Sequence, residues 1–519
     1  MSYVVKDSYE LFLAGNAVKG EAEPIAVEDP STGKTIAYCD AASPAQVAQA
    51  IADAQEAFDS GVWSRRAPAD RAAVMSDIAR AFSAKVKDLA VLESMQTGRP
   101  YREMSIQLGR LHEWFEYAGA LARTEEGSTQ PVRGSLLNFV KREPLGVCAL
   151  ISSFNHPLLI SIKKLAFALA AGNSVILKPS ELAPLSVLEL GKIVQSAGLP
   201  DGVLSILPGF GSSTGAALVS DPRIKKVDLT GGTAAGRAIG EVVGRNLASY
   251  TAELGGKAPI VVFDNVDIDV AVNGVAFASF IASGQTCVAG TRIIIHKSIF
   301  DAFVSRLSSK CASIARRIGS PFNKDSMMGP VISARQLGVV ETLVESARSD
   351  GATIVCGGQR LEGASGLDGH ELSNGYFYPP TLITGSGSVP ATSLRIWREE
   401  AFGPVLVLVP FETEAEAIAL ANDSEYGLGS AIWTRDGAQA LRVSSALDHG
   451  LCWINTHHRN DPSSPWGGLK NSGVGRENGH EAYRAYTQSK SVVINYSTEE
   501  ESRVMDDWFR EEDREVRYG

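Results

Sequence analysis

Short apolar runs alternate with helical stretches from residue 147 onward, and this alternation constrains the fold more than any other feature. The runs predicted as strands are Val147–Ile151, Ser174–Leu177, Val203–Leu207 and Val227–Leu229. The stretches predicted as helices are Pro157–Ala171, Pro184–Ala197 and one that begins near Ala235. Strands that alternate with helices indicate an α/β fold with a doubly wound parallel sheet. Such sheets bind ligands beyond the carboxyl ends of their strands, where Ser152–His156, Lys178–Glu181 and Thr230–Thr233 fall.

The rest of the chain extends this pattern on both sides. Ser43 before Pro44 predicts a helix start, and a second helix is expected from Ala69 to Gln96, with Gly98 as its stop signal. A second alternating region runs from about Ala258 to Trp453. It includes a strand at Val405–Val409 and a helix from Glu414 that Thr413 would cap. We therefore expect a domain boundary near Gly256–Pro259.

Composition limits the class of protein. The chain has 519 residues, which is too long for one core, and its net charge of −10 argues against nucleic-acid binding. Its six cysteines are scattered, with no zinc-ligand spacing, so no metal site and free thiols in a reducing compartment are expected. The amino terminus lacks a signal-peptide pattern, and no apolar run reaches the ~18–20 residues of a membrane span. A cytoplasmic location is the expectation.

Two glycine-flanked side chains are candidates for covalent chemistry. Cys287 lies in Ser283–Gly290, and Glu253 begins the segment Glu253–Lys257. A thiol and a carboxylate can serve as nucleophile and general base, and glycines allow the sharp turns that present them in a cleft. The glycine fingerprint of common Rossmann enzymes is absent, because Gly215 falls one residue too late after Gly209 and Gly211.

Seven motifs in this order resemble the NAD(P)-dependent aldehyde dehydrogenase superfamily, and the resemblance covers roughly residues 10–496. The motifs are Phe154–Pro157, Lys178–Glu181, Thr230–Thr233, Glu253–Lys257, Gly284–Cys287, Glu399–Pro404 and Gly473–Glu477. The sequence departs from the usual family pattern at Phe154, where Trp is common, and at His156, where an apolar or aromatic residue is common. It also has Gly232 where the family often has Ser.

The resemblance implies an aldehyde-dehydrogenase-like fold with two doubly wound parallel-sheet domains and a small β oligomerisation arm. The expected segments are 1–120 and 143–256 for the NAD-binding domain, 257–456 for the catalytic domain, 121–142 and 484–498 for the arm, 457–483 for the substrate entrance, and 499–519 for an acidic C-terminal extension. A homodimer or homotetramer is implied.

The resemblance also implies the reaction, which is oxidation of an aldehyde to a carboxylic acid. Cys287 would form a thiohemiacetal that loses hydride to become a thioester, and Glu253 would activate the water that hydrolyses it. Asn155 would donate to the oxyanion, together with the backbone N–H of Cys287. Glu477 would lie on the proton exit route.

The implied cofactor is NAD, with NADP less favoured, because the carboxylate of Glu181 can accept both ribose hydroxyls and repels a 2′-phosphate. The expected cofactor contacts are Ser152, Phe154, Lys178, Ser180, Glu181, Gly211, Thr230, Gly231, Gly232, Leu254, Glu400 and Phe402.

The resemblance places polar residues at positions of the substrate tunnel and its entrance, where relatives that act on plain aliphatic aldehydes usually have aromatic and apolar side chains. The expected substrate contacts are His156, Ile160, Lys163, Thr286, Val288, Arg459, Asn460 and Trp466. His457 and His458 form a polar cluster with Arg459 in the same loop. A buried cation is costly unless it is paired, so an inward-facing Lys163 or Arg459 suggests a partner on the substrate. We therefore expect a polar aldehyde, either a carboxylate-bearing semialdehyde or a hydroxylated aromatic aldehyde.

Three alternatives remain at this stage. In a coenzyme-A-acylating enzyme a thiol would resolve the thioester, although Glu253 would then have little purpose. A cysteine esterase on the same fold would leave the cofactor motifs unused. A non-catalytic binding protein would have no reason to keep Cys287, Glu253 and Asn155 together.

Overall fold

Two mostly parallel sheets form the framework of the computed structural model, which describes residues 4–511. The first has eight strands, with a parallel centre and antiparallel pairs at both edges. In spatial order its strands are Gly473–Val474, Ser249–Glu253, Ile224–Thr230, Val147–Ile151, Ser174–Lys178, Leu204–Ile206, Leu11–Leu13 and Asn16–Val18. The strands predicted in this region are therefore confirmed.

The second sheet has seven strands, of which only the first pair is antiparallel. In spatial order its strands are Thr353–Cys356, Thr381–Thr384, Val405–Phe411, Gly290–His296, Ala258–Val262, Gly429–Trp433 and Leu451–Ile454. The chain passes from the first sheet to the second between Glu253 and Ala258, where the domain boundary is predicted.

Helices cover both faces of each sheet, which is the doubly wound arrangement. In the strand Val147–Ile151, Cys148 and Leu150 pack into one core while the other three residues pack into a core on the opposite face. Such alternation follows from the two-residue period of a strand. Around the first sheet the helices are Pro44–Ser60, Pro68–Ser83, Val86–Thr97, Tyr101–Leu108, His112–Thr124, Pro157–Ala170, Leu185–Ser196, Ala216–Ser220 and Thr233–Arg245.

The second sheet is covered in the same way. Ile260 and Val262 belong to one core, and Val261 between them belongs to the other. The helices that follow residue 256 are Ile268–Phe280, Phe300–Ala315, Ala334–Ser349, Arg395–Arg398, Glu414–Asn422, Gly437–Ala446, Gly479–Ala485 and Glu499–Met505. Thr413 accepts from the Glu416 amide and caps its helix, as predicted.

Two predictions concerned the first helices. Ser43 caps the helix Pro44–Ser60 and forms a capping box with Gln46, which confirms the first. A single helix over residues 69–96 is wrong, because the chain turns at Ala84–Lys85 and starts a second helix that ends at Gly98. After this turn Glu93 accepts from the Leu158 amide and the Ser186 hydroxyl, so the second helix joins the buried layer.

A three-stranded antiparallel sheet stands apart from the two large ones. Its strands are Thr487–Asn495, Leu136–Pro144 and Ser128–Gln130. It exposes the apolar side chains of Leu137, Val493 and Ile494. The helix His112–Thr124 reaches past residue 121, where the arm was predicted to begin. The domain ranges themselves stay a prediction.

Smaller elements complete the described chain. A three-stranded sheet contains Ser8–Tyr9, Lys34–Ala41 and Ala22–Asp29, and Tyr426–Gly427 pairs with Leu469–Lys470. Thr498 caps the last helix, Glu499–Met505, within the predicted acidic extension, whose residues 512–519 lie outside the described part. Within residues 4–511 no helix is both long and apolar enough to cross a membrane.

Candidate active site

A cavity of about 510 Å³ lies between the two large sheets. The adjacent parallel strands Ile224–Thr230 and Ser249–Glu253 both end at it, with Thr230 and Glu253 paired in register. Most of the predicted site residues line this cavity. They are Phe154, Asn155, His156, Ile160, Lys163, Thr230, Gly231, Gly232, Glu253, Leu254, Thr286, Cys287, Val288, Glu400, Phe402, Asn460, Trp466 and Glu477.

A strained turn presents Cys287. Ala282 and Ser283 have φ values of 52° and 56°, in the left-handed region that non-glycine residues rarely adopt. The Ser283 hydroxyl donates to Gly329 O at 2.7 Å and Gln285 Oε1 accepts from the Ile332 amide at 2.9 Å, which holds the turn. Backbone strain of this kind persists only where surrounding contacts enforce it, and it clusters at active sites.

Burial, followed by the charges of Glu253 and Glu400, raises the pKa of the Cys287 thiol to about 12, although Lys163 opposes them. The side chain is nevertheless partly exposed to the cavity. The protein packs tightly behind it, because a Cβ at Gly256 would lie 2.1 Å from Cys287 O. The thiol must therefore lose its proton as it attacks, since the thiolate is the reactive form.

Glu253 is a buried carboxylate without a hydrogen-bond partner. Its side chain is 2 % exposed, and neither oxygen finds a donor within residues 4–511. Burial, followed by the charge of Glu477, raises its pKa well above the ordinary value. A Cβ at Gly467 would lie 2.9 Å from Glu253 Oε1, so this glycine gives the carboxylate its space. Such a group is a stronger base, once ionised, than an ordinary carboxylate.

Glu477 is buried in the same wall but is fully paired. Its oxygens lie 2.6 Å from Lys163 Nζ and 2.6 Å from Lys164 Nζ. Lys164 also contacts Asp228 at 2.5 Å, and Asp228 accepts from the Tyr486 hydroxyl. Burial opposes ionisation of Glu477, but the two lysines prevail and lower its pKa to about 2.

Asn155 follows the strand Val147–Ile151 and lines the cavity together with Cys287. The Ser153 hydroxyl donates to Asn155 Oδ1 at 2.6 Å, which orients the amide. Asn155 Nδ2 then donates to Gln285 O at 2.8 Å, two residues before Cys287. The amide donor group is thus directed to the segment that carries the thiol.

A second group of residues forms a wall suited to a dinucleotide. Gly232 begins the helix Thr233–Arg245 without a side-chain cap, and no atom lies within 4 Å of where its Cβ would be. Glu400 Oε1 accepts from the Gly256 amide at 3.0 Å, and burial raises the Glu400 pKa to about 7. Phe402 stacks edge-on against Phe154, with 5.7 Å between the ring centroids.

The remaining predicted cofactor residues lie outside the cavity, at the ends of neighbouring strands in the first sheet. Ser152 is buried and bonds Lys178 O through its amide, while its hydroxyl accepts from Ser161. Lys178 Nζ lies 3.7 Å from Glu181 Oε2, and its stem packs against Gly215. Other members of this group are Ser180 and Gly211, which begins a short π-helical turn.

Two predicted substrate contacts need correction. Lys163 lines the cavity, but its partner is Glu477, and its Nζ lies 4.6 Å from the Trp466 ring centroid. The expectation that Lys163 waits for a group on the substrate is therefore wrong, because the protein itself supplies the counter-charge. Arg459 has an exposed side chain, bonds Thr456 and does not line the cavity.

Sequence reasoning missed one whole side of the cavity. It is formed by the segment that follows Gly98, and its lining side chains are Arg99, Glu103, Ile106, Gln107, Arg110, Leu111 and Trp114. Arg99 and Glu103 form an ion pair, and Arg99 Nη1 also reaches Gln107 Oε1 at 3.1 Å. The signal that could have identified this side is the four-residue spacing of Arg99, Glu103 and Gln107, which places polar side chains on one face of a helix.

Comparison with known proteins gives a consistent result. The family model described as the aldehyde dehydrogenase family matches residues 17–492. The structure of PnpE in complex with nicotinamide adenine dinucleotide is 38 % identical, covers 95 % of this chain and 98 % of its own, and has a TM-score of 0.90. Betaine aldehyde dehydrogenase from Staphylococcus aureus, in complex with NAD+, is 34 % identical over 94 % of this chain and 95 % of its own, with a TM-score of 0.90. The NAD+ complex of an aldehyde dehydrogenase from Bacillus cereus is 33 % identical over 94 % and 97 %, again with a TM-score of 0.90.

Proposed function

The chain belongs to the aldehyde dehydrogenase family, and we propose that it oxidises an aldehyde to the carboxylic acid with NAD, through a thioester on Cys287. One observation carries the proposal. Cys287, Asn155 and the unpaired carboxylate of Glu253 share one cavity with Glu400, Phe402 and the helix start at Gly232.

The first step is attack of Cys287 Sγ on the aldehyde carbon. Because the thiol pKa is about 12, a base must accept its proton, and Glu253 is the nearby carboxylate whose pKa is also raised. The carbonyl oxygen becomes an alkoxide that the oriented Asn155 amide can stabilise. One such donor contributes about 10²–10³-fold in rate.

The cofactor residues fit NAD on the geometry of their own groups. The uncapped helix start at Gly232 offers free backbone N–H groups to a pyrophosphate. Glu181 and Lys178 stand together at the end of a strand, where a ribose would find a carboxylate acceptor. Glu400 and Phe402 line the cavity and would hold the nicotinamide end. NAD, when bound, accepts the hydride that leaves the aldehyde carbon.

Glu253 releases the thiol proton to solvent in the cavity and, ionised again, acts on the thioester. A buried carboxylate with a raised pKa is a strong base once it is ionised, so it can take a proton from a water that attacks the thioester carbonyl. The acid leaves, and Cys287 recovers a proton. Coenzyme-A acylation would need an incoming thiol instead, and Glu253 would then have no water to activate.

Replacement of Cys287 tests the function. Cys287→Ser should reduce NADH formation at least about 100-fold, because the hydroxyl is a much weaker nucleophile in this setting. NAD should still raise the melting temperature of the variant, which shows an intact fold and cofactor site. Activity above a few per cent would remove Cys287 from the mechanism. Acyl-coenzyme-A formation by the wild type in the presence of coenzyme A would favour the acylating alternative.

Cofactor choice has its own test. We expect kcat/KM for NAD to exceed that for NADP by at least about 10-fold, since Glu181 repels a 2′-phosphate. Glu181→Gln keeps the shape of the side chain without its charge, and it should narrow this ratio. Equal ratios in wild type and variant would show that Glu181 does not face the ribose.

A further inference from the structure

Arg99 determines which nitrogen of His156 carries the proton. Arg99 is 1 % exposed, and its Nη1 lies 2.7 Å from His156 Nδ1. A guanidinium group has donors only, so Nδ1 must be the acceptor. The neutral ring then carries its hydrogen on Nε2. Burial and the Arg99 charge lower the pKa of His156 well below its usual range, so the ring stays neutral.

The Nε2–H group of His156 is left for a ligand. Nε2 lies on the ring edge opposite Nδ1, and it has no hydrogen-bond partner within residues 4–511. It is not among the buried unpaired atoms either, so it remains accessible, and the side chain lines the cavity. His156 therefore presents a hydrogen-bond donor to whatever occupies this space.

His458 has the opposite polarity. Its Nε2 lies 2.8 Å from Ala278 O, and a carbonyl oxygen can only accept, so Nε2 carries the proton and Nδ1 is an acceptor. Nδ1 has no hydrogen-bond partner in the described chain, and it is accessible to solvent. The residue lines the same cavity. The ring is held by contacts with Phe277 and His457, and burial lowers its pKa to about 4.

The cations on this cavity wall are already paired with protein carboxylates. Arg99 pairs with Glu103, Arg110 with Glu113 and Lys163 with Glu477, which are the three lining cations in the described chain. The pairs of Arg99 and Lys163 are buried, so a substrate carboxylate beside them would find no free counter-charge and would lose its hydration. A neutral polar group loses much less on desolvation.

We infer that the aldehyde substrate carries a second, neutral hydroxyl group, which accepts a hydrogen bond from His156 Nε2–H and donates one to His458 Nδ1. A hydroxyl is both donor and acceptor, which matches the two ring nitrogens, and the apolar lining of Trp114, Phe277 and Val288 suits the carbon skeleton. The inference rests on the proposed function, and it narrows the substrate to hydroxylated aldehydes, phenolic or aliphatic.

The test compares matched aldehydes by NADH formation. The series is benzaldehyde, 3- and 4-hydroxybenzaldehyde, 4-methoxybenzaldehyde and 4-carboxybenzaldehyde, with pentanal and 5-hydroxypentanal as an aliphatic pair. At least one hydroxylated member should exceed its plain partner by about 10-fold or more in kcat/KM, since a site built to pair a hydroxyl disfavours its absence. The methyl ether can accept but not donate, and should fall between them.

Two variants separate recognition from structure. His156→Phe removes the donor and should reduce the hydroxyl preference towards unity, mainly through KM. His156→Gln places an amide N–H where Nε2–H lies, and should retain most of the preference. Melting temperatures measured with NAD show whether each variant folds. If His156→Phe lowers kcat/KM equally for all substrates and leaves the ratio of hydroxylated to plain aldehyde unchanged, the role of His156 is structural and the inference fails.

Other outcomes also overturn the inference. Superior turnover of 4-carboxybenzaldehyde would mean that a cation is released from its protein partner. Superior turnover of benzaldehyde and pentanal over every hydroxylated partner would mean that the two rings do not recognise a hydroxyl. In both cases aldehyde oxidation, and with it the proposed function, stands. Failure to oxidise any of the aldehydes, pentanal included, overturns the proposed function and this inference with it.

Discussion

The surroundings of Glu253 and Glu477 differ, although both carboxylates are buried on the wall of one cavity. Glu253 has no hydrogen-bond donor in the described chain, and burial raises its pKa. Glu477 contacts two lysines, which lower its pKa to about 2. The pKa values of two chemically identical groups are thus shifted in opposite directions by their surroundings. Such a difference separates acid and base roles in enzymes.

The difference assigns different tasks. At neutral pH the raised pKa of Glu253 makes it a stronger proton acceptor than an ordinary carboxylate, as a general base must be. Glu477 stays ionised there, so it is a poor proton acceptor, and its pKa argues against the predicted role on a proton exit route. Its charge instead neutralises Lys163 and Lys164 beside the site.

The largest expected effect comes from making Glu253 neutral. Glu253→Gln should lower steady-state turnover by about 10²–10⁴-fold, because general-base assistance to water is lost. The burst of NADH that precedes hydrolysis should slow as well, because Glu253 is proposed to accept the thiol proton before hydride transfer. A burst of unchanged rate and of a size equal to the enzyme concentration would restrict Glu253 to water activation. Thermal stability should not fall. A carboxylate whose pKa is raised in the folded state destabilises the fold at every pH above its unfolded-state pKa, and the neutral amide removes this effect.

The same change at Glu477 should act on stability in the opposite direction. The fall in pKa from 4.5 to about 2 corresponds to about 3 kcal/mol at neutral pH, which is lost as pH falls through that interval. Glu477→Gln also leaves Lys163 buried without its partner. A melting temperature clearly below that of Glu253→Gln is expected. Adding Lys163→Met should restore part of the loss, and no recovery would show that the two groups are not coupled.

The smallest effect should be a shift in pH dependence. Lys163 lowers the pKa of both Glu253 and Cys287, so Lys163→Met should raise both. Ionised Glu253 then requires a higher pH, and the acid limb of the kcat profile should move upwards by about one unit or less, equivalent to ~1.4 kcal/mol per unit. Lys163→Arg keeps the charge and serves as the control. Coincident profiles for wild type and Lys163→Met would contradict the electrostatic link.

Local sequence signals predicted the framework well. Apolar runs gave the central strands of the first sheet, and Ser43 and Thr413 were recognised as caps because capping depends on a few adjacent residues. The break at Ala84–Lys85 was missed because neither residue interrupts a helical pattern. The second helix instead has a partner distant in the sequence, because the Ser186 hydroxyl donates to Glu93.

At the site, too, local sequence patterns predict single residues but not the contacts between distant ones. The family motifs led to Cys287, Asn155 and Glu253, which the cavity brings together. The pairing of Lys163 with Glu477 joins residues that are far apart in the chain, so no local sequence pattern predicts it. The tautomer of His156 likewise depends on Arg99, which lies 57 residues earlier in the chain and in no family motif. The residue roles stay predictions until the variants are measured.

The edge strand Gly473–Val474 pairs with Ala252 and Glu253 in the first sheet, and Trp466, Gly467 and Glu477 flank it. Chains emerge from the ribosome amino terminus first. The thiol of Cys287 is therefore synthesised long before the segment that encloses Glu253. A nascent chain that already holds both Cys287 and Glu253 has an open sheet edge beside the carboxylate, so water and ions reach it and its pKa is not yet raised. The pKa of Glu253 is therefore raised only after the segment from Trp466 to Glu477 has folded against the first sheet.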